Sequence, residues 1–111
     1  MKKVNILGTT YEILSQTEDE NPKLKQAMGL CEYYSKKIII SKIKTETMTF
    51  ENIEEFKKEV LRHEIIHAFF AESGLKGNSP YAENEELVDW IAIQFPKIMK
   101  VFKELELDKW E

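Results

Sequence analysis

The sequence predicts an α+β fold in which a small sheet of three or four strands packs on one long helix, followed by two further helices. The N-terminal half carries short runs of β-branched and aromatic residues separated by turn residues, a pattern typical of hairpins. The C-terminal half carries apolar residues three or four apart over long stretches, which is typical of amphipathic helices. A chain of 111 residues can bury one modest core, so we expect a single domain over 1–111.

The first expected hairpin lies at the N-terminus. Residues 4–7 and 11–14 consist largely of β-formers, and Gly8 lies at the turn between them. A polar, acidic loop is expected over 15–22, ending in an Asn-Pro breaker. Residues 23–28 are expected to form one helical turn or to lead directly into the next strand.

A second hairpin is expected from residues 29–34 and 37–41, with 35–36 as its turn. The isoleucines at 38–40 are unbroken by a polar residue, so they should be buried on both faces of the sheet. We also expect this second strand to present an edge on which an extended peptide can lie as an added strand. Residues 42–49 are expected to form a polar, exposed connection.

The long central helix is expected to begin between Phe50 and Ile53. Asn52 and Glu55 have the spacing of a capping box, with asparagine in place of serine or threonine. Gly74 follows the last residue of the apolar pattern and predicts the stop, which makes the helix about 22 residues long. Its expected apolar positions are Ile53, Phe56, Val60, Leu61, Ile65, Ala68 and Phe69.

Two shorter helices are expected after this one. Ser79 followed by Pro80 predicts a new helix, with serine as the N-cap and proline at the first helical position. This helix should run to about Phe95, where Pro96 breaks or kinks it. A last helix is expected over 97–107.

The central helix carries the motif His63-Glu64-Ile65-Ile66-His67, which has the form H-E-x-x-H. Residues four apart lie about 40° apart on one helical face, so both imidazoles can bind one zinc ion at about 2.0–2.1 Å. Glu64 lies beside His63, where its carboxylate can reach a water on the metal. These are the only two histidines of the chain. The alternative to a zinc site is an amphipathic helix that carries two histidines incidentally.

A catalytic zinc ion needs a third protein ligand and an open position for water. Residues 83–90 are rich in carboxylates, and a helix joined to the histidine helix by a short loop should pack back against it. Glu85 is preferred to Glu86, because Asp89 lies four residues after Glu85 and could accept the free ring N–H of a ligating histidine. Glu86 is instead followed at this spacing by Trp90. An acidic surface cluster, favoured by the helix dipole, is the alternative without a metal.

His63-Glu64-Ile65-Ile66-His67 with Glu85 and Asp89 resembles the gluzincin pattern, as in thermolysin. There an H-E-x-x-H helix is completed by a glutamate with an aspartate four residues later. The size of the chain, and a strand ending in Ile-x-Ile before the helix, are also similar to the compact ImmA/IrrE-like and phage-encoded zinc peptidases. The resemblance covers about residues 29–95. It implies that 1–111 is a minimal zincin-like metallopeptidase domain with a Zn²⁺ cofactor.

The expected activity is peptide-bond hydrolysis by a zinc-activated water. Glu64 would act as general base and pass the proton to the leaving amine. The chain has no third histidine to stabilise the oxyanion, so another donor is needed. Tyr81, which opens the helix that supplies the glutamate, is our choice as the second catalytic residue. Tyr33, Tyr34, Arg62 or a backbone N–H are the alternatives.

Charge and composition argue against other classes. The net charge is −4 and the lysines are scattered among glutamates, so we expect no nucleic acid and no membrane as a partner. Cys31 is the only cysteine, which excludes an internal disulfide and cysteine-rich zinc sites. We expect neither a signal peptide nor a transmembrane segment, and hence a cytoplasmic protein.

The expected partner is a peptide or protein substrate. The competing hypothesis is a non-enzymatic, zinc-stabilised phage or prophage regulatory protein that binds a protein partner. Glu64 argues against a purely structural site, because a structural zinc site does not need it as a ligand. A third hypothesis is a helical adaptor that contains no metal.

Overall fold

The computed structural model describes residues 2–42 and 53–109. It is an α+β protein with a four-stranded sheet and two α-helices in the described part of the chain. The expected connection after Lys42 and the Asn52 cap lie outside the described residues. The elements are β1 (Lys2–Ile6), β2 (Thr9–Gln16), β3 (Gly29–Glu32), β4 (Lys37–Ser41), α1 (Ile53–Glu72) and α2 (Glu85–Glu104), with 3-10 helices at Pro22–Lys25 and Pro80–Glu83.

The first predicted hairpin is confirmed, with longer strands than expected. β1 and β2 pair antiparallel, and Ile6 pairs with Thr9 next to the turn. Leu7 (φ 51°) and Gly8 (φ 92°) both have positive φ, which is what a two-residue type I′ turn requires. The side-chain oxygen of Asn5 accepts the Gly8 N–H at 2.8 Å and stabilises this turn.

The second hairpin also forms, but its connection is longer than predicted. β3 ends at Glu32, which pairs with Lys37, and residues 33–36 form the turn. The expected two-residue turn at 35–36 is therefore wrong. The favoured two-residue turns, types I′ and II′, both need positive φ at the first central residue, and here Lys36 (φ 59°) has positive φ but Ser35 does not.

The sheet has the strand order β1-β2-β4-β3, with β2 and β4 parallel and the other two pairs antiparallel. Residues 38–40 of β4 are buried, as predicted, at 0%, 5% and 8% exposure. The prediction that β4 offers an edge is wrong, because β2 and β3 occupy both of its hydrogen-bonding sides. The edge strand on this side of the sheet is β3.

α1 packs on the sheet and closes the core. Ile6, Tyr11, Ile38 and Ile40 of the sheet form one buried cluster with Ala68 of α1. Because these side chains come from three strands and the helix, the cluster holds α1 at a defined position on the sheet. Partly buried residues packed against the cluster are Val4, Ile13, Cys31, Val60, Leu61 and Ile65.

The C-terminus of α1 has the predicted glycine stop. The helix ends at Glu72, and Gly74 adopts a positive φ of 83°. The N–H of Gly74 donates to the carbonyl of Ala71 at 3.2 Å, and the N–H of Lys76 donates to that of Phe70 at 3.0 Å. Carbonyls that the helix leaves unpaired at its end are thus satisfied within the chain.

Glu72, the last residue of α1, joins the helix to both hairpins. Its carboxylate accepts hydrogen bonds from the hydroxyls of Thr9 and Tyr11, at 2.8 and 2.7 Å, and pairs with the ammonium of Lys36 at 2.9 Å. Hydrogen bonds from Lys36, Tyr11 and Thr9 lower the pKa of Glu72 to about 2. Charge-assisted contacts of this kind are stronger than neutral hydrogen bonds.

Glu72→Gln is therefore expected to lower the free energy of unfolding by about 2–3 kcal/mol at pH 7. Because the folded pKa is depressed, this stabilisation is present above the ordinary value of 4.5 and is lost as the pH falls toward about 2. Urea unfolding at pH 7 and pH 3 measures both effects. The control is Glu32→Gln, which removes the exposed ion pair with Lys23 and should change stability by less than about 1 kcal/mol. Equal losses of unfolding free energy in the two variants would contradict the stabilising role assigned to the contacts of Glu72.

The helix predicted to begin at Ser79 is divided in two. Ser79 caps the short 3-10 helix Pro80–Glu83, and its hydroxyl accepts the N–H of Tyr81. A second cap follows, in which the side-chain oxygen of Asn84 accepts the N–H of Leu87 at 2.9 Å. Since asparagine is a strong N-cap, α2 begins after Asn84 rather than at the proline.

The two separate helices predicted after α1 are one, because α2 continues through Pro96 to Glu104. A proline inside a helix has no N–H for the carbonyl four residues earlier, here that of Ala92. The guanidinium of Arg62 on α1 donates to this carbonyl through Nε at 2.7 Å. A tertiary contact thus replaces the missing helical hydrogen bond, and α2 does not end at Pro96.

The two halves of α2 differ in burial. Val88 and Ala92 in the first half are fully buried, whereas Val101, Phe102 and Leu105 are exposed. The apolar residues at the C-terminal end of α2 therefore do not contribute to the described core. Within residues 2–42 and 53–109, no helix is both long enough and apolar enough to cross a membrane.

Candidate metal centre

α1 presents His63 and His67 on one face, one turn apart. Their Nε2 atoms are 3.2 Å apart and their ring centroids 4.9 Å apart. Both side chains are mostly buried, at 16% and 21% exposure. Burial lowers the pKa of His67, which favours the neutral imidazole that metals bind. The H-E-x-x-H segment is therefore helical, with both histidines directed to one place.

Glu85 faces both histidines from the first turn of α2. One carboxylate oxygen is 2.9 Å from Nε2 of His63, and the other is 2.9 Å from Nε2 of His67. Glu85 occupies this position because the cap at Asn84 begins the helix at Glu85. Both Glu85 and Glu86, the alternative ligand from the sequence, are exposed, but Glu86 does not belong to this group.

Asp89 lies behind His63, one helical turn after Glu85. Its Oδ1 is 3.3 Å from Nδ1 of His63. Both ring nitrogens of His63 thus face carboxylate oxygens, but a neutral imidazole has one N–H and can donate to only one of them. A cation at Nε2 would satisfy Glu85 and leave Nδ1–H to donate to Asp89, as in the carboxylate–histidine pairs of zinc sites.

The donor set fits a zinc ion. The ligand atoms of His63, His67 and Glu85 lie within 4.8 Å of one another. Two ligands on a tetrahedral zinc ion are about 3.3 Å apart, which is close to the 3.2 Å between the two Nε2 atoms. The 2.9 Å contacts to Glu85 would need to open by about 0.4 Å. Among the described residues the group has three side chains, as catalytic zinc sites do.

Glu64 lies beside the group and is buried, at 8% exposure. Burial raises the pKa of Glu64 to about 7; the Glu85 carboxylate acts in the same direction and His63 in the opposite one. A buried carboxyl group with a pKa near neutrality can both accept and release a proton, as a general base must.

Two cavities, each of about 340 Å³, adjoin at the candidate site. Both are lined by Gly29, Glu64 and Glu85, and we refer to the two together as the cleft. The first cavity is also lined by Cys31, Tyr33, His67 and Lys76. The second is also lined by Phe56, Glu59, Val60, His63 and Asp89.

The oxyanion donors that the sequence suggested lie in different environments in the structure. Tyr81 lies on the 3-10 helix before α2, is 72% exposed and is not among the residues that line the two cavities. Tyr34 is 89% exposed, and Arg62 is engaged with the carbonyl of Ala92. Tyr33 lines the cavity that contains His67 and Glu64. The structure therefore brings Tyr33, and not Tyr81, to the candidate site.

Gly29 was not identified as a site residue from the sequence. A Cβ atom at this position would lie 2.8 Å from Cγ1 of Val60 and 3.0 Å from Cγ of Glu64, closer than side chains normally approach. The glycine therefore permits β3 to lie directly against α1 at Glu64. An isolated glycine at the start of a strand is the available sequence signal for such a close approach.

Lys76 was also missed. It belongs to the loop after α1 and lines the first cavity with Tyr33, His67 and Glu85. The path of this loop decides where the lysine lies, and no local sequence pattern predicts that path. Its neighbour Cys31 lines the same cavity, and burial raises the pKa of its thiol to about 12.

Comparison with protein-family models, with curated proteins and with solved structures found no match for this chain. The functional interpretation of His63, His67 and Glu85 therefore depends on the contacts and the chemistry described above.

Proposed function

We propose that this chain is a zinc-dependent peptidase with a minimal zincin-like fold. His63, His67 and Glu85 would bind the metal, and Glu64 would be the general base. The observation that carries the proposal is the convergence of three side chains that can ligate a metal, beside a buried carboxyl group. The metal would not need this carboxyl group as a ligand. A purely structural metal site would not call for that carboxyl group.

A bound zinc ion would supply a Lewis acid that lowers the pKa of water and polarises the substrate carbonyl. Glu64 would take the proton from the attacking water and deliver it to the leaving amine. Asp89 would accept the Nδ1–H of His63, which fixes the tautomer that directs Nε2 toward Glu85. Each role uses a contact or a position within the cleft.

The hydroxyl of Tyr33 is the donor that we assign to the developing oxyanion, in place of Tyr81. Tyr33 lines the same cavity as Glu64 and His67, and a hydrogen-bond donor there can act on a carbonyl held between them. Tyr81 has no comparable position, since its side chain is mostly exposed to water.

β3 would hold the substrate as an added strand. Met28 receives a ladder hydrogen bond from Ser41, so by the alternation of an antiparallel pair Gly29 and Cys31 direct their backbone groups away from β4. Gly29 and Cys31 also line the first cavity. An extended peptide could therefore pair with their N–H and C=O groups, which point away from β4, and pass beside Glu64.

Metal binding tests the foundation of this proposal. The purified protein is expected to contain one zinc ion per chain by elemental analysis. Glu85→Gln should weaken zinc binding by at least about 100-fold, because it removes a ligand, and removal of an outer partner alone weakens zinc sites by about 10–100-fold. Competition with a chromophoric chelator measures the affinity.

The matched control is Glu86→Gln, which makes the same charge change on the next residue and should alter the affinity by less than about threefold. Absence of zinc, or equal loss in both variants, would favour the metal-free adaptor. Zinc binding without cleavage of any peptide would favour the zinc-stabilised regulatory protein that binds a partner.

A further inference from the structure

We propose that Lys76, positioned by the ring of Tyr33, forms a carboxylate-binding subsite in the cleft, which makes acidic peptides the preferred substrate class. This inference rests on the proposed function, because it concerns the same cleft. The bound group would be either an acidic side chain or the C-terminal carboxylate of a peptide.

The position of Lys76 supports this subsite. Within the described residues it is the only lysine or arginine that lines either cavity, and it shares the first one with His67 and Glu64. Its ammonium lies 5.0 Å from the ring centroid of Tyr33, a cation–π distance. The ring restricts where the ammonium can lie, while the single hydroxyl proton of Tyr33 stays available to the oxyanion.

The ion pair between Lys76 and Glu83 does not prevent this role. The two groups are 3.1 Å apart, but the side chain of Glu83 is 61% exposed, and exposed pairs contribute only about 0–1 kcal/mol. The hydrogen bond to Glu83 raises the pKa of Lys76, so the ammonium is charged at neutral pH. A substrate carboxylate in the cleft can therefore share or replace Glu83 as its partner.

The nearby carboxylates do not reverse the preference either. Glu64 and Glu85 are the acidic residues lining the first cavity, and together they carry at most two negative charges. A divalent ion at the histidines would offset both. Lys76 then supplies the positive charge at its end of the cleft, and Glu83 is the exposed anion whose place a substrate carboxylate would share or take.

The test is peptide binding to the zinc-loaded protein carrying Glu64→Gln, which separates binding from hydrolysis. The probes are fluorescent short alanine-rich peptides with amidated C-termini, in pools that place one Glu, Gln or Lys at each position in turn. A fourth probe has no charged side chain and a free C-terminal carboxylate. Fluorescence anisotropy gives the affinity of each.

We expect the Glu pool or the free-carboxylate probe to bind about tenfold more tightly than the Gln pool. Whichever of the two binds tightly identifies the source of the carboxylate. Lys76→Met should abolish this preference, and Lys76→Glu should shift it to the Lys pool. Lys58→Met, at an exposed lysine paired with Glu55 on α1, is the matched control and should keep the preference.

Equal binding of the acidic and neutral probes would overturn the subsite, as would an unchanged preference in Lys76→Met or no binding of either acidic probe at millimolar concentration. These outcomes are distinct from failure of the peptidase. A preference that depends on Lys76 supports the subsite even if the native protein, with Glu64 in place, cleaves no peptide. Cleavage without such a preference leaves the peptidase and removes the subsite.

Discussion

Peptide cleavage by the zinc-loaded protein is expected to fall by about 10²–10⁴-fold in kcat/KM when Glu64 is replaced by glutamine. Glutamine has nearly the same shape but cannot accept the proton from the attacking water. The zinc content should not change, because Glu64 is not among the three side chains of the ligand group. Mass spectrometry of a peptide library identifies cleaved sequences, and a fluorogenic version of one gives kcat/KM.

The control for this loss is Glu59→Gln, which makes the same change at another glutamate that lines the cleft from α1. It should keep cleavage within about threefold, since a general base must reach the transferred proton directly. A similar loss in both variants would mean that cleft charge, and not proton transfer, governs the rate. Full activity of Glu64→Gln would exclude the assigned role.

The same Glu64→Gln variant is expected to be more stable than the native chain when both are free of metal at pH 8, by roughly 3 kcal/mol. Burial is the main reason why the pKa of Glu64 rises from 4.5 to about 7, and it disfavours the charged carboxylate in the folded state. Glutamine occupies the same space without a charge. The carboxylate of Glu64 would therefore lower the stability of the folded protein while serving catalysis.

The pH dependence gives the sign of this effect. Between about 4.5 and 7 the unfolded chain has already lost the proton that folded Glu64 still holds, so the native chain loses stability as the pH rises. Above pH 7 the penalty is complete, and below 4.5 it is absent. After chelation, urea unfolding should give similar free energies of unfolding for the two chains at pH 5 and a higher value for the variant at pH 8. Equal stability at both values would mean that the carboxylate is solvated.

Spacing along single helices predicted the relative positions within the candidate site. His63 with His67, and Glu85 with Asp89, are each separated by one helical turn, which is a local property of the chain. The short connection between the helices then restricts the second to return beside the first. Glu85, and not Glu86, accordingly faces the histidines. Its role as a ligand stays a prediction.

The residues that the sequence did not place at the site, or named only as alternatives, come from loops and from a strand edge. Tyr33 lies in the turn between β3 and β4, and Lys76 in the loop after α1. Their positions depend on how those segments pack against α1, and no periodicity in the sequence predicts that packing. The sequence favours Tyr81 because it precedes the helix that carries Glu85, but closeness along the chain does not determine which way a side chain points in a 3-10 turn.

The sheet shows the same division between local and tertiary effects. Each hairpin joins strands that are neighbours in sequence, and both were predicted. The parallel pairing of β2 with β4 joins strands separated by the whole of residues 17–36, and only packing determines it. The buried isoleucines at 38–40 indicate an interior strand, which argues against the edge that we expected there.

The contact between Arg62 and the carbonyl of Ala92 makes two positions distant in sequence interdependent. Pro96 leaves that carbonyl without its helical donor, so Pro96 and Arg62 constrain each other's substitution. Arg62 directly precedes His63, and α2 carries Glu85. Substitutions in the two helices that carry the candidate site are therefore expected to be coupled through a residue pair that lies outside the ligand group. A neutral change at one of them depends on which residue is already present at the other.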